Sequence, residues 1–266
     1  MNNKRKTITA FLTGAPVGLF GGLIGLGGAE FRLPILVGLF KYPARKAVAL
    51  NLVISLITVL SSLVFRMSKI SIDAITPYTS IMLVMVVASM SGAFLGADFS
   101  KKITDSMLNR AILILLVLIG GLLIVESLVP FIGNGIAFAS FFLEMITAVF
   151  FGLVIGFISS LLGVAGGELI IPTLILIFGV DAKLAGTISL MISLPTMLIG
   201  IYRHAHHRVY NDKSDFSTLV LPMGIGSIIG AFLGAALVVY VSSNSIKLIL
   251  GCLLIFSAVK LFLEKK

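Results

Sequence analysis

Two acidic residues sit where a membrane-type sequence should carry none. Glu30 lies in "GLIGLGGAEFRLP" (Gly22–Pro34) and Glu168 in "GVAGGELIIP" (Gly163–Pro172). A carboxylate inside an apolar segment is costly, and it ordinarily faces a bundle interior, a water-filled cavity or a partner charge. Each glutamate follows a glycine pair, Gly27-Gly28 or Gly166-Gly167, and precedes a proline, Pro34 or Pro172. This punctuation lets a helix break in mid-segment. A helix restarting after the break aims unused backbone N–H groups at the gap, where an anion is favoured. Two chemistries are open to the glutamates: bonding to those N–H groups, or exchanging a proton coupled to solute movement. Arg32 either draws in an anion or satisfies a carboxylate. It does not face Glu30, since helix residues two apart point in different directions.

A second set of polar residues follows each break. Asn51, Ser55 and Thr58 correspond to Ser189, Ser193 and Thr196. A spacing of four puts Asn51 with Ser55, and Ser189 with Ser193, on nearly one helix face. Hydroxyls can bond back to their own helix, which is the plainer reading of the serines and threonines. The Asn51 amide is harder to satisfy that way and is the strongest ligand candidate.

The elements that must hold these residues are helices in lipid. The chain is 58% hydrophobic and 12% charged, with a mean hydropathy of +1.15; soluble domains carry roughly 25% charge. Apolar segments fall at about residues 11–40, 46–65, 75–98, 108–125, 145–180, 184–202, 217–240 and 246–263, and a span needs about 20 residues. The first and fifth are too long for one untilted helix. Residues 1–9 are basic and lack a cleavage site downstream, so they read as a retained cytosolic tail.

Composition also removes whole classes of function. A net charge of +9 lies mostly in short connections, where inward bias and anionic lipid account for it, so nucleic acid is not expected. "GLGGAE" lacks the Lys-Ser or Lys-Thr ending and the βαβ setting of a nucleotide loop. No coherent nucleophile, base or metal cluster supports an enzyme, and no cofactor is expected. His204, His206 and His207 read as a loop rather than a metal site. Cys252 reads as packing, and Glu126 and Glu144 as exposed.

Laying Gly28 over Gly166 superposes the two halves without a gap. The same shift pairs Glu30 with Glu168 and Pro34 with Pro172, while "GAFLGA" at Gly92–Ala97 recurs unchanged at Gly230–Ala235. Arg32 has no basic counterpart, since Ile170 takes its place. The expected fold is an all-α polytopic membrane protein of two four-segment repeats. The first repeat occupies residues 10–126, an external linker 127–144, and the second repeat 145–266 with a short cytosolic tail.

Lysine and arginine bias then addresses topology. If every segment crosses once, the cytoplasmic and outer sides hold 11 and 8 of these residues, with Arg32 set aside. If the first and fifth segments are broken or re-entrant, the counts become 15 and 4, and the repeats are inverted. The inverted arrangement fits better, although it leaves Arg66 and Lys69 outside. Eight full crossings is the alternative, and both readings put the two termini in the cytoplasm.

These stretches resemble the TauE/SafE family of sulfite exporter-like membrane proteins, through Gly25, Gly27, Gly28 and Pro34 and again through Gly163, Gly166, Gly167 and Pro172. The chain departs from a full three-glycine run in both halves, at Ala29 and Ala165. The resemblance implies secondary transport of small sulfur-containing or organic anions such as sulfite, sulfonate or thiosulfate. On that reading Gly27, Gly28, Arg32, Asn51, Ser55, Gly166, Gly167, Ser189 and Ser193 bind substrate by alternating access. Glu30 and Glu168 couple a proton, and Pro34 and Pro172 complete the helix breaks. Membrane lipid is a partner, and a homo-oligomer is compatible with the sequence. A passive anion channel and a non-transporting scaffold are the rival functions.

Overall fold

The computed structural model describes residues 3–99, 105–128, 135–136, 138–162, 165–206 and 213–263. Gly163, the Lys101–Lys102 pair, His207, Arg208 and most of the expected linker lie outside the described residues. The side chains of Glu30, Pro34, His204 and His206 are likewise outside them.

Every regular element is helical among the described residues, as lipid demands of a chain that must satisfy its own backbone. Helix α1 (Asn3–Phe20) runs on through a wider π-helical turn (Gly21–Gly25), and α2 (Ala29–Pro34) through another (Ile35–Leu39). Then come α3 (Ala44–Met67), α4 (Ile72–Ile75) with a 3-10 turn, α5 (Thr79–Phe99) and α6 (Asp105–Leu128). The second half holds α7 (Phe141–Leu162), α8 (Gly167–Leu176), α9 (Ala182–His206), α10 (Lys213–Asp215) with a π-helical turn, α11 (Leu221–Leu237) and α12 (Ser243–Leu263). Among the described residues, six stretches are long and apolar enough to cross a membrane: Asn3–Gly25, Lys46–Met67, Ile72–Gly96, Phe141–Leu161, Ala182–Tyr202 and Phe216–Leu237. The protein is thus an all-α polytopic membrane protein.

Polar contacts sort the connections into two ends. At one, Lys6 Nζ donates to Asp215 Oδ1 at 3.0 Å and Lys46 Nζ reaches Asp215 Oδ2 at 2.5 Å, with the Tyr42 hydroxyl also on Oδ1. Burial by itself would raise the Asp215 carboxyl, but hydrogen bonds from Lys46, Tyr42 and Lys6 outweigh it and hold the group below its ordinary value. At the other end, Arg66 meets Lys183, Ser243 donates to Asp181 at 2.5 Å, and Lys247 pairs with Glu126 at 3.5 Å. Lys6 and Lys46 share one carboxylate, so the chain between them leaves one end and comes back. A single pass of residues 11–40, the alternative reading, would place them apart by the full length of α1, whereas here both reach Asp215.

Glycine seams make the tightest helix contacts. A Cβ on Gly14 or Gly18 of α1, or on Gly22 of the π-helical turn that follows, would strike the backbone of Met223, Ser227 or Ala231 in α11. The correspondence between the halves extends to these seams: Gly152 and Gly156 of α7 meet Met85 and Ser89 of α5 in the same way. Both "GAFLGA" copies obey it too, with Gly92 against Leu153 and Phe157, and Gly230 against Ala15 and Leu19. Each half therefore lends its third long helix to the first helix of the other. At the centre α3 and α9 pack through Leu52, Val59, Leu190 and Met197. The same shift carries Leu52 onto Leu190 and Val59 onto Met197.

Residues 3–9 form the start of α1. Three sequence expectations change here. Glu126 is only 2% exposed, because Lys247 covers it. Cys252 lies on the exposed side of α12 rather than in the core. Arg66, counted as a loop cation, is fully buried.

Seam packing predicts that Gly18→Ala and Gly156→Ala each lower the unfolding temperature in detergent, because the methyl meets backbone that cannot yield, an overpacking cost of about 1–3 kcal/mol. Gly121→Ala is the control, since nothing lies within 4 Å of a Cβ there. Equal melting temperatures for all three would contradict the seam.

Candidate substrate site at two facing helix breaks

Helix α1 ends because Gly25 turns to φ 95° and Leu26 is extended. Gly28, at φ 68°, then starts α2, and Gly166, at φ 78°, starts α8. These left-handed values are readily adopted only by glycine, which explains the residue at the same place in both halves. Pro34 closes α2 and Pro172 lies inside α8, so the gaps themselves are set by the glycines.

The two breaks touch. A Cβ on Gly27 would meet Ala165, and one on Gly167 would meet Leu26 and the Gly25 carbonyl oxygen. Gly25 itself lies against the backbone of Gly186 in α9. All ten residues of α8 are buried, Glu168 among them. Glu168 stands in the first turn of α8, where the positive end of the helix dipole favours a carboxylate.

Arg32 is 0% exposed. Its Nη1 donates to Ser55 Oγ at 2.7 Å and its Nη2 to Thr58 Oγ1 at 2.9 Å, while both approach the Gly27 carbonyl at 3.4–3.5 Å. Thr58 also bonds back to Ile54 O at 3.0 Å, so it is oriented by its own helix. Asn51 Nδ2 donates to Ala29 O at 3.0 Å, tying α3 to the first turn of α2. The structure thus gathers Gly27, Gly28, Arg32, Asn51 and Ser55 around the first break.

At the second break the polar set is thinner. Ser189 is fully buried, its Oγ has no partner, and it lies beside Gly167. Ser193 is 1% exposed on the same helix, one turn further. Ser89 and Thr196 share a hydroxyl hydrogen bond of 2.7 Å. The outcome is a buried cation on one side of the paired breaks and hydroxyls on the other, a setting suited to an oxyanion.

Sequence reasoning missed three contributors. Arg66 donates to Gly22 O at 2.9 Å, Leu23 O at 2.8 Å, Lys183 O at 2.5 Å and Thr187 Oγ1 at 3.0 Å. It supplies donors to carbonyls at the end of the first crossing and joins that end to α9. Nothing in the sequence separates it from an ordinary flanking arginine. Ser159 and Ser160 are buried on α7 with unpartnered hydroxyls, and Ser159 presses on Gly166. Their signal was present, because two adjacent serines stand three residues before the second glycine cluster, at the places of Gly21 and Gly22.

A family model described as sulfite exporter TauE/SafE matches residues 1–123 and 148–266. No curated protein and no solved structure matches.

Replacing Arg66 by Met is expected to destabilise the fold strongly, since each buried acceptor left without a donor costs about 1–3 kcal/mol. Arg66→Lys keeps the charge but loses the planar fork, and its melting temperature should fall between those of the parent and the Met variant. An unchanged melting curve for the Met variant would show that these carbonyls find other donors.

Proposed function

Because the chain belongs to the sulfite exporter TauE/SafE family, we propose that it is a secondary transporter carrying a small sulfur-containing or organic anion, such as sulfite, sulfonate or thiosulfate, by alternating access at the facing breaks. Family membership makes anion transport, rather than catalysis, the general role. The observation that carries the site assignment is Arg32, a guanidinium with no solvent exposure, braced by Ser55 and Thr58 beside the junction of the breaks. A desolvated cation attracts an anion far more strongly than one in water. Asn51, Ser189 and Ser193, with the backbone at Gly27, Gly28, Gly166 and Gly167, provide the remaining polar surface.

Two repeats of inverted topology support alternating access. In such folds the site lies where interrupted helices from opposite leaflets meet, and one half rocks against the other. The matching glycine seams of the two halves favour this arrangement, as does the return of the chain from Lys6 to Lys46 at its starting end. The contact of Gly27 with Ala165 also favours a closed, alternating site over a standing pore. The end holding Lys6, Lys41 and Lys46 is assigned to the cytoplasm, by the inward bias of basic residues.

Proton coupling is assigned to Glu168 and its counterpart Glu30. When ionised, a glutamate beside the site repels an anion; when protonated, it can donate a hydrogen bond. Proton and anion would thus enter together.

Uptake into proteoliposomes tests this reading, with sulfite, sulfate, thiosulfate and short sulfonates offered under an imposed pH gradient. Arg32→Gln should reduce uptake roughly 10- to 100-fold, as expected for loss of one charge-assisted hydrogen bond of about 1.5–3 kcal/mol. Cys252→Ser, on an exposed helix face, should transport normally. Uptake by Arg32→Gln at the parent rate would remove Arg32 from the site, and indifference to the gradient would remove the proton.

A further inference from the structure

The carboxylate of Asp215 joins parts of the bundle that the proposed cycle must separate. Its side chain is 5% exposed. Lys6 and Tyr42 bond to Oδ1 and Lys46 to Oδ2, and the two ammonium groups stand 5.2 and 5.3 Å from the Tyr42 ring centroid.

The partners belong to two different bodies. Lys6 is on α1, and α1 is fused to α11 by a seam of glycines that leaves no room for a methyl group. Asp215 directly precedes that same unit, so the Lys6 bond lies within one body. Tyr42 and Lys46 belong to the returning limb and α3, the limb that carries Asn51, Ser55 and Thr58. Of the bonds on Asp215, those from Tyr42 and Lys46 cross between the bodies.

Directly beneath lies an apolar plug. Leu36, Ala47, Leu50 and Ile54 of the limb meet Leu219, Val220 and Met223 of the α11 unit, all buried. On α3 the plug residues Ala47 and Leu50 stand between Lys46 and Asn51, so a path from this end to Arg32 runs through the plug. The positions that correspond in the other half carry different residues. Under the shift that lays Gly28 over Gly166, Lys6, Tyr42 and Lys46 become Glu144, Val180 and Leu184, and Asp215 becomes Pro77. Breaks and seams match between the halves, but the residues of this charge cluster do not recur at the corresponding positions.

We infer that Asp215 is a latch which holds the anion site closed at the end bearing the N-terminal helix, through bonds to Lys46 and Tyr42 that must open for access from that side. Lys6 stays with Asp215 when the latch opens and keeps the carboxylate neutralised, so release leaves no unpaired buried charge. The latch rests on the alternating-access reading, yet its test does not require any anion to be transported.

The test places a single cysteine in the plug, Leu50→Cys on a Cys252→Ser background, in proteoliposomes without substrate, and follows labelling by a water-soluble maleimide. Asp215→Asn and Lys46→Gln should each raise the labelling rate roughly tenfold or more, because a charge-assisted bond no longer favours the closed state. Lys6→Gln should not raise it. Lys46→Gln leaves the carboxylate paired with Lys6, so it decides the matter if Asp215→Asn fails to fold. Parent-like labelling in Lys46→Gln protein that remains monodisperse would overturn the latch, whatever the uptake assays show. Faster labelling would uphold it even if no sulfur anion proved to be the cargo.

Discussion

Lipid supplies no hydrogen bonds, so a helix interrupted within the membrane must find donors and acceptors for its open backbone inside the protein. Much of this fold follows from meeting that demand at two places. Arg66 donates to the carbonyls of Gly22 and Leu23. Asn51 donates to Ala29, and Arg32 approaches Gly27. The long polar side chains around the first break therefore hold the backbone there, and Arg32 and Asn51 also line the proposed anion site. Support of the break and the proposed binding of the anion thus fall on the same residues, Arg32 and Asn51.

Matching glycines account for the like geometry of the two halves, and the residues that differ account for their unlike chemistry. Each half packs its third long helix against the first helix of the other, through glycines that recur in register between the halves. Neither half can bury its own seam alone, so the two breaks are brought face to face by the same exchange. The breaks are not chemically alike. The first carries Arg32, Asn51 and Ser55, where the second has Ile170, Ser189 and Ser193. On the proposed reading, an anion between them would meet a cation from one half and hydroxyls from the other.

The all-helical membrane architecture and the two glycine breaks were legible in the sequence, because long apolar segments call for helices and glycine pairs within them permit an interruption. Gly28 and Gly166 could be singled out from letters alone, and both take the left-handed backbone that glycine permits. Arg66 could not, since its partners Lys183 and Thr187 lie in the other half of the chain and one of these acceptors is a backbone carbonyl. Asp215 escaped notice for a similar reason: beside Lys213 it reads as a surface residue, and only folding brings Lys6, Tyr42 and Lys46 onto it. Glu126 and Cys252 were misplaced because helix rotation, which decides what faces the core, is weakly encoded when all faces are apolar.

The central claim is that the first long segment enters the membrane and returns, so that its break faces that of the second repeat. Side-selective labelling of single cysteines at the exposed positions Lys4, Lys41, Ser71 and Asn244 tests it most directly, with an impermeant maleimide and a Cys252→Ser background in sealed vesicles. Lys4→Cys and Lys41→Cys should label from one side, and Ser71→Cys and Asn244→Cys from the other. Labelling of positions 4 and 41 from opposite sides would mean that residues 11–40 cross once, and the facing breaks would be lost with it.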